Sequence, residues 1–143
     1  PAGYFGCAAN TDRATLKGAT FQTMHDWQRV RLSAEFDFLD AKDDATGKRL
    51  NRRAAHQHSV AADYLGAGWT AGATLTRVGA RPDGTVRLGS YAVLDLRARW
   101  EVDPRWTLEA SLLNAADKDV EPVRGYQGLG RQFWLGARVN LAL

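Results

Sequence analysis

Apolar and polar residues alternate one by one along several stretches of this 143-residue chain, most regularly at its end. One parity of the final stretch is wholly apolar: Phe133, Leu135, Ala137, Val139, Leu141 and Leu143. The other parity is mostly polar: Gln132, Trp134, Gly136, Arg138, Asn140 and Ala142. Because successive side chains of a strand point to opposite faces, this pattern predicts an amphipathic strand that runs to the last residue.

The same alternation predicts about seven strands along the chain. They are expected at about 13–24, 28–40, 52–65, 69–78, 91–102, 106–112 and 132–143. Short turns (25–27, 66–68, 103–105) alternate with longer polar loops (41–51, 79–90, 115–130). Long loops at one edge and short turns at the other are typical of outer-membrane β-barrels.

Aromatic and charged residues are placed as such a barrel requires. Aromatic residues are expected at the strand ends, where interfacial girdles lie: Trp27, Trp69, Trp100, Trp106, Tyr91 and Phe133. A set of charged residues occupies the polar parity: Arg29, Arg31, Glu35, Asp37, Asp95, Arg97, Arg99 and Arg138. An Arg facing lipid at the bilayer midplane costs about 2–4 kcal/mol, so a barrel would turn these residues to its lumen. A soluble sheet with a solvated outer face would show the same alternation, and this interpretation remains an alternative.

Composition narrows the class of protein. Apolar residues make up 45% and charged residues 24%, as in folded domains, and 14 Gly with five Trp favour β structure. No stretch approaches the roughly 20 apolar residues of a membrane helix. The net charge of +3 without a dense basic patch predicts no nucleic-acid partner. The single Cys7 predicts no internal disulfide, and the start at Pro1, without a secretion signal, favours a C-terminal fragment.

Signals for catalysis or resident metals are weak. His56 and His58 share a strand face but have no Cys or carboxylate cluster beside them, so a metal site is not expected. The segment from Asp40 to Gly47 lacks the spacing and terminal Glu of a calcium loop. Gly66-x-Gly68 falls in a turn between strands rather than at a helix start, so it predicts no dinucleotide site. We therefore expect no enzyme and no cofactor.

Three motifs resemble those of TonB-dependent outer-membrane receptors. They are Asn10-x-x-x-Ala-x-Leu-Lys-Gly18, Leu113-Asn114-Ala-Ala-Asp117-Lys118-Asp119 and Gly125-Tyr126-Gln127-x-x-Gly130-Arg131-Gln-Phe133. They occur in the family's order and spacing and extend the resemblance from about residue 10 to residue 143.

The resemblance implies an all-β, antiparallel transmembrane β-barrel in the outer membrane of a Gram-negative bacterium. Residues 1–143 would form the C-terminal part, about the last seven strands of a 22-stranded plugged barrel, without the plug domain and the earlier strands. The implied function is TonB-dependent active uptake of a large ligand. The implied partners are that ligand, outer-membrane lipid and the TonB complex, the last through the absent N-terminal region.

Within the family, cobalamin (vitamin B12) receptors show the strongest resemblance, through Leu50-Asn-Arg52-Arg53-Ala54 and the run from Asp117 to Arg131. It implies that Arg52, at the external mouth, and Tyr126, in the last loop, contact cobalamin or a related large chelate such as an iron–siderophore. An Arg can donate to amide or phosphate oxygens, and a Tyr offers a rigid face with a polar tip. Two alternatives remain: a complete small outer-membrane barrel with a passive role, and a soluble lipocalin-like barrel that binds a small apolar ligand.

Overall fold

The computed structural model describes residues 13–141, which form an antiparallel β structure of nine strands. The strands are β1 (Ala14–Trp27), β2 (Val30–Asp43), β3 (His56–Leu65), β4 (Trp69–Val78), β5 (Arg81–Asp83), β6 (Val86–Leu88), β7 (Tyr91–Glu101), β8 (Trp106–Leu113) and β9 (Gln132–Val139). Seven of them form one sheet in the order β1-β2-β3-β4-β7-β8-β9, and β5 pairs with β6 in a separate hairpin. Among the described residues, β1 and β9 are the two edges of the large sheet, so this sheet is open. The described part of the chain contains no helix that is long and apolar enough to cross a membrane.

The strand register joins the apolar parities of all seven strands into one continuous face. Directly paired residues on this face include Leu75 with Leu94, Leu96 with Leu112, and Trp69 with Trp100. The face is exposed rather than covered, with Leu75 50% and Leu96 39% accessible. Within residues 13–141 no large side chain is fully buried, so this part of the chain provides no apolar interior for a lipocalin-like ligand.

The predicted alternation of turns and loops is confirmed. The segments 44–55, 79–90 and 114–131 all leave the same edge of the sheet, whereas the connections at 28–29, 66–68 and 102–105 lie at the opposite edge. The loop edge and the turn edge are therefore distinct ends of the sheet.

Several predicted boundaries differ from those of the structure, which begins β3 at His56 rather than at Arg52. The first turn lies at Gln28 and Arg29 rather than 25–27, because Asp26 pairs with Arg31 across the hairpin and Trp27 continues the apolar parity. The loop 79–90 contains the hairpin β5–β6. The last strand ends at Val139 rather than at the end of the chain. Cys7, the start of the Asn10 motif and Leu143 lie outside the described residues.

Aromatic side chains mark the turn edge of the apolar face. The residues there are Trp27, Tyr64, Trp69, Trp100 and Trp106, and the rings of Tyr64 and Trp69 stack with centroids 5.2 Å apart. Phe133 lies on the apolar face near the loop edge, as predicted. The assignment of Tyr91 to a girdle is wrong, because Tyr91 pairs with Val78 on the polar face and lies beneath the guanidinium of Arg81.

Candidate functional site

The polar face of the sheet carries ion pairs that link different strands. The Nε of Arg31 lies 2.7 Å from Asp26, and a terminal nitrogen of Arg97 lies 2.7 Å from Asp63. The second pair spans β4, where Gly72 is the residue between them. A Cβ on Gly72 would lie 1.9 Å from Oδ1 of Asp63, so the missing side chain makes room for this contact.

The predicted set of charged residues is almost wholly confirmed on this face. The register places the following on the polar parity: Arg31, Glu35, Asp37, Asp95, Arg97, Arg99 and Arg138. Arg29 is the exception, because it belongs to the turn between β1 and β2.

Asp83 is the centre of the contacts between the three long loops. The residue is only 6% exposed, and its carboxylate accepts hydrogen bonds from Nε of Arg52 at 2.9 Å and from the backbone N–H of Arg124 at 2.8 Å. These two bonds connect the segments 44–55, 79–90 and 114–131, which together are called the loop mouth below. The N–H of Arg124, followed by the guanidinium of Arg52, holds the pKa of Asp83 below its usual value.

Arg81 makes a second connection within the loop mouth. It is 4% exposed, and its guanidinium donates to the carbonyl oxygens of Glu121 and Pro122, both at 2.8 Å. The same guanidinium lies 5.3 Å from the centroid of the Tyr91 ring, in a cation–π contact. The hairpin β5–β6 therefore fixes the last long loop as well as the first.

The two residues predicted to contact ligand, Arg52 and Tyr126, both lie in the loop mouth. The side chain of Arg52 is 58% exposed although its Nε is bound to Asp83, and Tyr126 is 72% exposed. Arg52 has a φ of 61°, in the left-handed region, and its N–H donates to the carbonyl of Pro82 at 2.7 Å. The structure brings their two loops together through Asp83. The contact of either residue with a ligand stays a prediction.

A cavity of about 340 Å³ opens beside Arg52. Its polar and aromatic lining residues are Asp37, Arg52, Arg53, Gln57, Arg81 and Tyr91. The segment 44–55 adds positive charge, with Lys48, Arg49, Arg52 and Arg53 against one acidic residue, Asp44. Such a surface favours a ligand that is anionic or rich in hydrogen-bond acceptors.

Sequence reasoning missed the roles of Asp83, Arg81 and Arg53. Asp83 and Arg81 stand in a short polar segment without any catalytic or ligand motif, and the partners that they bind in the other two loops lie 31 to 41 residues away along the chain. A cluster of basic residues from 48 to 53 was the one local signal available for Arg53.

The residues of the weak metal and calcium patterns do not line the cavity of the loop mouth. His56 and His58 lie on the apolar face with stacked rings 6.2 Å apart, and the described residues contain no group of three or more potential metal ligands. Oδ1 of Asp43 accepts the N–H groups of Ala45 and Thr46 at 2.8 and 3.2 Å, which closes a turn.

Comparison with known families gives a match over most of the chain. Residues 2–115 match the family described as "TonB dependent receptor-like, beta-barrel".

Solved structures of similar fold include the "Copper transporter OprC", with a TM-score of 0.79 and 16% identity over 88% of this chain. The ferric enterobactin receptor PfeA from Pseudomonas aeruginosa aligns over 91% of this chain, with a TM-score of 0.78 and 18% identity. The pyoverdine outer membrane receptor FpvA from the same organism aligns over 90%, with a TM-score of 0.72 and 17% identity. The alignments cover 24%, 23% and 22% of those proteins, so this chain spans about a quarter of their length.

Proposed function

This chain belongs to the TonB-dependent receptor β-barrel family, and from that membership we propose that it is part of an outer-membrane receptor for active uptake of a large metal chelate. The chelate is cobalamin or an iron–siderophore complex, and it binds at the loop mouth. The observation that carries this proposal is the basic surface around Arg52, held in place by the buried carboxylate of Asp83.

The two faces of the sheet support the membrane part of the proposal. The apolar face bears exposed large apolar or aromatic side chains on all seven strands, which suits contact with lipid acyl chains. The polar face bears the ion pairs of Asp26 with Arg31 and of Asp63 with Arg97, which suit a hydrated lumen. The loop edge then faces the exterior of the cell and the turn edge faces the periplasm, in keeping with long external loops.

The chemistry of the loop mouth supports a chelate as ligand. Arginine donates several N–H groups in a fixed fork, and an exposed tyrosine can pack flat against a large conjugated ligand. Arg52 and Tyr126 present these two groups at the same edge of the sheet. The names of the similar structures refer to copper, ferric enterobactin and pyoverdine, and the sequence around Arg52 resembles that of cobalamin receptors.

Uptake against a gradient requires coupling to an energy source. We assign that coupling to a TonB-type protein in the periplasm, which would act on the segment of the receptor that precedes the strands described above. In this chain the loop mouth binds the ligand, and the polar face of the sheet forms part of the wall of the lumen through which the ligand passes.

Binding to the full-length receptor tests the proposal. The receptor is purified in detergent and titrated with cyanocobalamin and with a panel of ferric siderophores of differing charge. We expect one ligand class to bind, and we expect Arg52→Ala and Tyr126→Ala each to weaken its binding by about tenfold, a typical loss for a well-packed contact residue. Arg105→Ala is the matched control, because it removes the same charge from an exposed position at the turn edge. Wild-type affinity in both loop variants, or no binding of either ligand class, would refute the proposal.

A further inference from the structure

A second cleft lies in the loop mouth, between the segment 44–55 and the hairpin β5–β6. Its volume is about 610 Å³, within the range of small-molecule sites. The N–H of Arg52 donates to the carbonyl of Pro82 at 2.7 Å, and the N–H of Gly84 donates to Oδ1 of Asn51 at 3.1 Å. These bonds fix the hairpin against the segment and so preform the cleft. The cleft, called the hairpin cleft below, is lined by residues on both sides, among them Asp43, Lys48, Arg49, Arg53, Pro82 and Gly84.

The hairpin cleft carries positive charge that the protein itself does not neutralise. Lys48 and Arg53 are exposed, and neither forms an ion pair within residues 13–141. Arg49 is partly neutralised by Asp40, at 3.3 Å. Asp43 is an acidic lining residue, but its Oδ1 accepts two N–H groups of its own turn. The lining therefore contains two cations that are available to an anionic ligand.

Arg53 joins the hairpin cleft to the cavity of about 340 Å³ beside Arg52, because it lines both spaces. The other two arginines of that cavity already have partners. The Nε of Arg52 is bound to Asp83, and the guanidinium of Arg81 donates to backbone carbonyl oxygens. A ligand large enough to occupy both spaces would therefore contact Arg53, whose guanidinium has no carboxylate partner in the described part of the chain.

We propose that the hairpin cleft is an anion-binding part of the loop mouth and that the transported chelate is anionic. The inference rests on the proposed uptake function and deepens it, because it assigns an iron–siderophore complex with negatively charged oxygens rather than cobalamin. The fork of Arg53 donates two parallel N–H groups to such oxygens, and Lys48 adds a point charge.

Cobalamin fits the charge of the hairpin cleft less well. Cyanocobalamin is neutral overall, because its phosphate offsets the charge of its cobalt centre. A neutral ligand that covered Lys48 and Arg53 would remove their water without supplying a counter-charge, at a cost in binding free energy. An anionic chelate supplies that counter-charge.

Two ferric chelates that differ in charge test this proposal on the full-length receptor in detergent. A hexadentate tris-catecholate complex of Fe(III) is anionic, whereas a hexadentate tris-hydroxamate complex is neutral, and both surround the metal with an octahedron of oxygens. We expect the wild type to bind the tris-catecholate about tenfold more tightly than the tris-hydroxamate or cyanocobalamin. Arg53→Gln should remove most of this preference by weakening the binding of the tris-catecholate alone. Arg53→Lys should keep part of it, because the charge remains although the fork is lost.

Arg87→Gln is the matched control. Arg87 is an exposed residue of β6 in the same hairpin, but it lines neither the hairpin cleft nor the cavity beside Arg52. The variant loses the same charge from the loop mouth and should keep the preference of the wild type. Lys48→Gln provides a second measurement within the cleft if Arg53→Gln fails to assemble, and it should also lower the preference.

Failure of this inference is distinguishable from failure of the proposed function. Equal affinity for the two chelates, or tighter binding of cyanocobalamin than of either, would overturn the anionic assignment and leave the receptor function standing. An equal loss of preference in Arg87→Gln would overturn the role of the hairpin cleft, since the total charge of the loop mouth would then attract the ligand. Binding of none of the three compounds would refute the proposed function and this inference with it.

Discussion

The sheet and the loop mouth are held together in different ways. Each strand of the sheet is fixed by a ladder of backbone hydrogen bonds, and its side chains follow a two-residue period that the sequence shows directly. The loop mouth depends on a few side chains, chiefly Asp83 and Arg81, whose partners are distant in sequence. One substitution should therefore affect the sheet through the face on which it falls, and the loop mouth through the particular bond that it removes.

The largest effect is expected from a charge placed on the apolar face. Leu75 lies on that face in the middle of β4 and is 50% exposed, and the next residue, Thr76, lies on the polar face. Leu75→Arg should abolish assembly of the full-length receptor in the membrane, because an Arg toward the bilayer midplane costs about 2–4 kcal/mol. Thr76→Arg should assemble, since its side chain meets the hydrated face. The measurement is the fraction of receptor that resists urea extraction from isolated membranes.

Equal assembly of the two variants would break the contrast between the faces. It would mean that the exposed apolar face does not meet lipid, and the proposed membrane orientation would be refuted with it.

The difference between the sheet and the loop mouth also explains how much of the structure could be predicted from the sequence. The bounds of β4, the turn at 66–68 and the polar parity of Arg97 and Asp95 all follow from local alternation, and all are confirmed. The prediction of a turn at 25–27 is wrong because it was based on the polarity of His25 and Asp26. Polarity alone does not distinguish a turn from a strand whose charged residue is paired across a hairpin.

The loop mouth was the less predictable region. Resemblance to a family indicated Arg52 and Tyr126 as surface residues of the mouth, but no local pattern indicated that Asp83 would bind Arg52. That contact depends on how three loops meet above the sheet, and loop geometry leaves little trace in periodicity. The burial of Arg81 could not be predicted from the sequence either, because its acceptors are backbone carbonyl oxygens, which every residue has.

A smaller and more local effect is expected from Asp83→Ala. It removes the acceptor of both the Arg52 guanidinium and the Arg124 N–H, so the loop mouth should open while the sheet stays paired. We expect amide exchange at Arg124 to accelerate by about tenfold, with exchange in β4 unchanged. Asp44→Ala removes an exposed acidic residue from the same loop mouth and should leave the Arg124 amide protected. Protection of Arg124 that survives Asp83→Ala would show that Asp83 does not organise the loops.

The pH dependence of the loop mouth follows from the lowered pKa of Asp83. Because the folded-state pKa lies below the ordinary value of 3.8, the stabilisation by the ionised carboxylate is fully present above that value and is lost as the pH falls through the folded-state pKa. Exchange protection at Arg124 should therefore stay constant from neutral pH down to about pH 4 and should fall below it. Asp83→Asn should flatten this acid-side decrease, whereas an unchanged decrease in Asp83→Asn would assign it to another group.

The smallest effect is expected within the sheet, at the glycine beneath the Asp63–Arg97 pair. A Cβ at Gly72 would lie 1.9 Å from Oδ1 of Asp63 and 3.1 Å from the carbonyl oxygen of Ala62, so Gly72→Ala must displace the carboxylate from its arginine. Arg97 is 44% exposed at its side chain, and for such a partly solvated pair the loss is about 0.5–1 kcal/mol.

Gly136→Ala is the matched variant that isolates this loss. Gly136 also lies on the polar face, but a Cβ there would meet only the Cβ of Glu109, at an ordinary 3.9 Å. This substitution should stabilise the receptor by about 0.5 kcal/mol, because alanine has less conformational entropy to lose than glycine. Thermal unfolding of the full-length protein should therefore give a lower midpoint for Gly72→Ala than for Gly136→Ala. Equal midpoints would show that Asp63 and Arg97 can pair without the gap in β4, and the polar face would then tolerate side chains as freely as its alternation alone suggests.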